Sequence, residues 1–176
     1  ILTEQGAEID ETIENDKKNI FALSGHEFNI NSPKQLGTVL FEELGLKTGK
    51  KTKSGYSTGQ EVLESLALEH PIIPLIMEYR QNTKLKSTYI DGLLNVINPK
   101  TQRVYSCFNQ TVTATGRLSS TEPNLQNIPV RTELGKLIRK AFLPADDNHI
   151  LIDADYSQIE LRVLAHMSQD EAMCKA

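Results

Sequence analysis

Two carboxylates, Asp153 and Asp155, stand two residues apart in the run His149-Ile150-Leu151-Ile152-Asp153-Ala154-Asp155. In an extended chain successive side chains point to opposite faces. Ile150, Ile152 and Ala154 then share one face, and Leu151, Asp153 and Asp155 the other. The two acids lie roughly 6–7 Å apart along a strand rising about 3.3 Å per residue. One ion would not readily bridge that gap, but either acid could bind a hard cation with oxygen ligands from elsewhere. Mg²⁺ takes one or two carboxylates together with substrate phosphates. A carboxylate at a strand end, facing a basic polar loop, is what metal-assisted phosphoryl chemistry needs. The plainer reading is that Asp155 only opens the turn before the next helix.

Ser157-Gln158-Ile159-Glu160 has the S-x-x-E form of a capping box, worth about 1 kcal/mol to a helix start. Ile159, Val163 and Met167 would form the buried stripe of that helix, with Leu164 beside it. Arg162 lies off the stripe, either paired with an acid or solvated. His166 reads as a surface or packing residue, and His26, His70 and His149 show no metal-ligand spacing. There is no glycine-rich phosphate loop of the common types and no nucleophile elbow. Cys107 and Cys174 belong to no CxxC pair, which disfavours a structural zinc site or a disulfide framework and fits a reducing cytoplasm.

These groups need a scaffold, and 176 residues suffice for one domain or two small subdomains. Charged residues make up 24% and hydrophobic ones 39%, a soluble globular balance. No apolar run is long enough to span a membrane, so no membrane partner is expected. The net charge is −4, but its distribution matters more. Residues 1–30 hold seven acids and two lysines, residues 47–60 four lysines and no acid. Residues 79–105 hold three lysines, two arginines and one acid. Such local basic stretches are the electrostatic footprint of a nucleic-acid binder, although charge runs are commonly just solvated faces.

Taken in order, Ile9, Ile13, Ile20 and Leu23 predict a one-sided helix over residues 1–24, ended by Gly25. Ser32-Pro33-Lys34-Gln35 is a helix start, with Ser32 as N-cap, Pro33 at N1 and Gln35 reaching back. Leu36, Val39, Leu40 and Leu44 line its face, and Gly45 closes it. Residues 45–59 read as a flexible cationic loop. Thr58 and Glu61 form a second capping box, ahead of Val62, Leu63, Leu66 and Leu68. A long helix follows Pro71 and Pro74, carrying Leu75, Ile76, Tyr79, Leu85, Tyr89 and Leu93. The pattern changes near Gly92, where residues 94–97 and 104–108 predict a β-hairpin about Asn98-Pro99. The polar run 111–131 has little periodicity, and a segment of that length without structure of its own is often functional. A short helix over 132–141 and a turn at Asp146-Asp147-Asn148 lead back to the acids. Ile1 is not Met, and the last residues read as an unfinished helix, so the chain is expected to be a piece of a longer protein.

Three stretches carry a resemblance. Residues 153–166 (DADYSQIELRVLAH) closely resemble the first conserved palm motif of the bacterial family A DNA polymerases. Residues 113–131 (TATGRLSSTEPNLQNIPVR) resemble the primer–template loop of that family, and residues 84–106 its thumb-to-palm junction. The resemblance runs in order over nearly the whole chain. It implies an α+β fold: an antiparallel helical thumb over 1–91, then over 92–176 a partial palm with a small antiparallel sheet. It implies a DNA-directed DNA polymerase that transfers nucleotides from dNTP to a primer 3′-hydroxyl on primer–template DNA, with two Mg²⁺ ions in the complete site.

By the same resemblance Asp155 would hold the metal pair as catalytic aspartate, and Tyr156 would offer its backbone carbonyl. Glu160 would screen the sugar 2′ position, with Gln158 and Ile159 beside it at the nucleotide. Arg117 would reach the primer end and the closed nucleotide complex. Asn124, Gln126 and Asn127 would contact the template–primer minor groove or backbone, whose degenerate acceptor pattern suits a sequence-tolerant check. Arg80, Lys84 and Lys86 would grip phosphates, and the Lys51–Lys53 loop would be the thumb tip. Asp153 departs from the family, which usually has a small or apolar residue there.

The family's second catalytic aspartate and its fingers helix are not found here and are expected beyond Ala176. The chain alone is therefore expected not to polymerise DNA, and to self-associate through an open sheet edge. Two other readings remain: a non-catalytic nucleic-acid-binding module, and a metal-dependent phosphodiesterase using Asp153 and Asp155 together.

Overall fold

The acid-rich N-terminal run folds as α1, Leu2–Ser24, and Gly25 ends it. Gly25 takes φ 80°, a left-handed conformation that suits glycine, and donates its N–H to the Phe21 carbonyl at 2.9 Å. The computed structural model describes residues 1–47, 51–52, 55–129 and 133–175. Of the predicted apolar face of α1, Ile9 and Ile20 are buried while Leu23 is exposed. A polar residue, Asp16, is also buried, facing Asn82 at 3.5 Å.

The second helix starts as its sequence predicts. Ser32 accepts the Gln35 N–H, Pro33 is the first residue of α2, Pro33–Thr38, and a π-helical turn, Val39–Glu43, continues it. Gln35 reaches back, but to the Asn29 N–H at 2.7 Å rather than to the cap residue. Within the predicted loop 45–59 two short described strands pair: β1, Lys51–Thr52, is antiparallel to β2, Gly55–Tyr56. Tyr56 packs on Phe41 with ring centroids 5.0 Å apart, which ties β2 to the core.

The expected Thr58 capping box does not form. Helix α3, Gln60–Leu66, begins at Gly59 without a side-chain cap, because the Thr58 hydroxyl and carbonyl both accept from Arg80. Then α4, Ile72–Leu85, a π-helical turn, Lys86–Asp91, and α5, Gly92–Asn95, run as one long helical stretch. Its start is capped by the His70 ring, whose Nδ1 accepts the Ile72 N–H at 3.2 Å. Ile20, Leu36, Leu40, Leu63, Ile72, Ile73 and Ile76 make the core of this helical region and are fully buried.

The predicted hairpin is corrected. Leu94 and Asn95 finish α5 rather than opening a strand. Asn98 does make a turn, its Oδ1 accepting the N–H groups of Lys100 and Thr101. The strand that follows, β3, Cys107–Asn109, pairs with β4, Ser119–Thr121, in the register Cys107–Thr121, Phe108–Ser120 and Asn109–Ser119. Helices with small antiparallel sheets make the fold α+β. The next helix, α6, is Glu133–Arg139, with Ile138 buried and the Leu137 carbonyl accepting from Gln5.

The described chain divides into two compact units, Ile1–Ala141 and Phe142–Ala176. In the second, the predicted strand at 150–155 is absent. A strand exists only by pairing, and no described residue pairs with this segment. Helix α7, Ile159–Ser168, enters from Gln158 in the left-handed region (φ 53°) with no side-chain cap, so the Ser157 capping box is not made. Its expected buried stripe is exposed: Ile159, Val163, Leu164 and Met167 all face solvent, and Ala165, beside α8 (Glu171–Lys175), is buried in their place. No helix among the described residues is long and apolar enough to cross a membrane.

Candidate functional site

The described part of the polar run, residues 111–129, is more ordered than its composition suggests. Ser120 is fully buried in β4 and acts as a hub. Its Oγ lies 2.8 Å from Ser106 Oγ and accepts the Leu125 N–H at 3.0 Å, while its N–H donates to Gln126 Oε1 at 3.0 Å. Ser106 Oγ also lies 2.8 Å from the Pro123 carbonyl. Asn124 Oδ1 accepts the Gln126 N–H in a local turn. Asn124, Gln126 and Asn127 are all exposed, yet the backbone that carries them is braced. Both serines lie inside stretches that carry the family resemblance, but nothing in the sequence assigns either a role. The only signal is Ser-Ser in a strand-ending run, where small hydroxyls satisfy turn backbone.

Arg117 lies exposed in the β3–β4 connection, where Thr113 Oγ1 donates to its carbonyl at 2.5 Å. A second tie holds the other end of the loop. Tyr89, buried in the π-helical turn, donates its hydroxyl to the Asn127 carbonyl.

The three cations assigned to the long helix have different surroundings. Arg80 is partly buried, donating from Nη1 to the Thr58 carbonyl at 2.6 Å, and burial lowers its pKa. Lys86 is held 2.9 Å from both oxygens of Asp91 and 3.2 Å from Asp10. Those acids raise its pKa, Asp91 first. Lys84 lines a cleft of about 340 Å³ with Gln81, Leu85, Tyr89, Asn127 and Pro129. The structure thus brings Lys84 and Asn127 together. Lys51 is described by its β1 backbone alone, and Lys53 lies outside the described residues.

In the second unit Asp153, Asp155 and Tyr156 are exposed in a segment without regular structure. Gln158 starts α7, Ile159 is its first residue, and Glu160 follows in its first turn. Arg162 donates from Nε to the Ser157 carbonyl at 2.9 Å, fixing the segment's entry into the helix. Among the described residues no group of three or more His, Cys, Asp or Glu could hold a metal ion. What is present is a reachable carboxylate with a backbone carbonyl next to it. Both are hard oxygen donors of the kind Mg²⁺ accepts, but they are part of a ligand set, not a whole one.

Comparison with known proteins gives this geometry a context. The family model for DNA polymerase family A matches residues 1–176. DNA polymerase I of Geobacillus stearothermophilus is 56% identical over 175 residues, 99% of this chain and 20% of that protein. DNA polymerase I of Bacillus subtilis is 54% identical over 175 residues, again 99% of this chain and 20% of the relative. The chain therefore spans about a fifth of the length of the curated relatives it matches. Among solved structures, the POL domain of Pol1 from M. smegmatis, in complex with DNA primer–template and dNTP, matches with TM-score 0.88 and 43% identity. That match covers 99% of this chain and 31% of the other.

Proposed function

The chain belongs to DNA polymerase family A, and on that premise we propose that it forms the thumb and the first part of the palm of a DNA-directed DNA polymerase. The observation that carries the proposal is the match over 99% of the chain to a polymerase domain solved with primer–template DNA and dNTP. Residues 1–91 are the thumb and 92–176 the palm portion. The described chain itself separates at Ala141, so the palm portion is shared between the two compact units.

In this reading the unit that ends at Ala141 carries the duplex. Lys84, Lys51 and Lys53 meet phosphates. Arg80 and Lys86, each bound within the protein, add positive field and hold the helix that presents Lys84. Asn124, Gln126 and Asn127 follow the minor groove from a braced backbone, and Arg117 reaches the primer end. Such contacts report pairing shape more than sequence.

The second unit carries the nucleotide end of the chemistry. Asp155 and the Tyr156 carbonyl would hold Mg²⁺, while Gln158, Ile159 and Glu160 border the incoming sugar, Glu160 screening its 2′ position. The metal pair, when bound, activates the primer 3′-oxygen and neutralises the leaving pyrophosphate. Asp155 is well suited to the first task, being exposed on a segment that Arg162 anchors one turn into the helix. Among the described residues no group of three or more His, Cys, Asp or Glu could hold a metal ion, and the chain alone is proposed not to extend a primer. It is proposed to act in the cytoplasm, in replication and repair. Ile150, Leu151 and Ile152 are exposed on a segment with no strand partner among the described residues, which favours self-association of the isolated chain.

Fluorescence anisotropy with a labelled primer–template duplex tests this reading. The expected result is binding that weakens steeply with salt and prefers the duplex to a single strand of equal length. Equal affinity for both, or none for either, refutes it. Hydrolysis of DNA without added nucleotide would instead support the phosphodiesterase reading. Size-exclusion chromatography checks self-association, for which a clean monomer is the contrary result.

A further inference from the structure

Tyr89 has a place in the structure that no motif assigns. It is 8% exposed in the π-helical turn, and its hydroxyl donates to the carbonyl of Asn127, 38 residues away. Tyr89 stands five beyond Lys84, and both line the cleft that Asn127 and Pro129 close from the other side. The 124–127 segment is braced on β4, because Gln126 and Leu125 are both bonded to Ser120 and Gln126 is bonded to Asn124. The tie at Asn127 adds a hydrogen bond that holds the far end of the segment to the long helical stretch carrying Lys84.

Resting on the polymerase reading, we propose that Tyr89 is a positioning residue. Its hydroxyl fixes the Asn124–Asn127 segment beside Lys84, so that a phosphate-gripping cation and the minor-groove side chains meet one duplex at a set spacing. Without the tie the segment populates other positions, and apparent affinity falls with the fraction of time it is correctly placed. Loss of one neutral hydrogen bond lowers the ratio of placed to displaced segment about fivefold, which is the ceiling on the loss of affinity.

Tyr89→Phe removes the oxygen and keeps the buried ring. Hydrogen exchange of the free full chain should quicken at the Leu125 and Gln126 amides and stay unchanged in α1 and α3. Exchange unaltered at those amides overturns the tie. Titrated with primer–template duplex, Tyr89→Phe should bind more weakly, by up to about fivefold, by the same factor at every salt concentration, with the slope against log salt unchanged. Lys84→Ala should lower that slope by about one. In an Asn127→Ala background, Tyr89→Phe should cost the same factor again, because the tie is to the Asn127 backbone carbonyl, which alanine keeps. Wild-type affinity in Tyr89→Phe, or a changed salt slope in it, overturns the positioning role. If the wild-type chain fails to bind the duplex, the polymerase reading falls and the DNA role with it, while the exchange result still decides whether Tyr89 holds the segment.

Discussion

Gly135→Ala pits two opposing effects against each other, and the structure decides between them. In an exposed helix interior, alanine is favoured over glycine by about 1 kcal/mol. Gly135 lies in α6 against Pro129, however. A Cβ added there would sit 2.5 Å from the Pro129 carbonyl oxygen, 2.7 Å from its Cβ and 2.8 Å from its carbonyl carbon. Two of these atoms are backbone and cannot rotate away, so either α6 or the 124–129 segment must shift. Overpacking of this kind costs about 1–3 kcal/mol. With three atoms in conflict the upper part of that range applies, leaving a net loss of about 1–2 kcal/mol. Gly92 is the internal control: its added Cβ would come no closer than 3.4 Å to the Ser87 carbonyl, an ordinary contact. Gly92→Ala should therefore stabilise by about 0.5–1 kcal/mol. Urea unfolding followed by far-UV circular dichroism reads both variants. At a slope of about 2 kcal/mol per molar, Gly135→Ala should lower the midpoint by about 0.5–1 M and Gly92→Ala should raise it slightly. A Gly135→Ala chain as stable as wild type would refute the packing of α6 on Pro129, and with it the cleft wall opposite Lys84.

Other outcomes follow from particular contacts. In a parent enzyme, Asp155→Ala should nearly abolish nucleotide incorporation while Asp153→Ala is mild; steady-state primer extension compares them, and equal losses would overturn the assignment of the metal to Asp155. Asp16, buried between α1 and α4, has a raised pKa, first through burial and then through Glu78. An acid whose folded pKa is raised binds its proton more tightly in the folded state, so stability falls as pH rises from about 3.8 through the folded pKa. Asp16→Asn should remove that component and flatten the stability profile over this range, as read by urea midpoints at stepped pH. Lys86→Met should cost about 1 kcal/mol by freeing Asp10 and Asp91. The salt slope of duplex binding should stay unchanged in that variant, since the Lys86 ammonium is held by those acids; a reduced slope would return Lys86 to the phosphate contacts.

The helices were legible because their signals are local. Ser32-Pro33, Gly25 and much of the apolar spacing of α1 and α4 act within one or two turns: Ser32 caps α2, Gly25 ends α1, and Ile9, Ile20, Ile76 and Leu85 are buried, while Leu23 is not. The capping boxes at Thr58 and Ser157 looked equally local but failed for reasons of context. Arg80, 22 residues on, takes the Thr58 oxygens, and the left-handed Gln158 moves the helix start past Ser157. The π-helical turns were invisible, since they change the hydrophobic phase by one residue without any residue type announcing it. Strands were least legible. The alternation of Ile150 to Asp155 is a genuine β pattern, but pattern supplies only one half of a ladder. The pairing of Cys107–Asn109 with Ser119–Thr121 joins the end of the predicted 104–108 strand to a partner that no alternation marked.

The candidate site shows why charge alone is a poor guide to contact. Arg80, Lys84 and Lys86 fall within seven residues and share one basic run, yet only geometry separates them. Arg80 and Lys86 have partners at hydrogen-bond distance inside the protein, whereas Lys84 faces the cleft. A guanidinium that left Thr58 for a phosphate would strand a buried threonine, a cost of about 1–3 kcal/mol set against each bond it then made to DNA. The same reasoning runs in the opposite sense for Asp155. An exposed carboxylate gives up little that the fold depends on when it takes a cation. The residues proposed to act on DNA or metal are thus those the fold leaves facing outward on an engaged backbone: Lys84 on a helix fixed by Arg80 and Lys86, Asn127 on a loop fixed by Ser120 and Tyr89, and Asp155 on a segment fixed by Arg162.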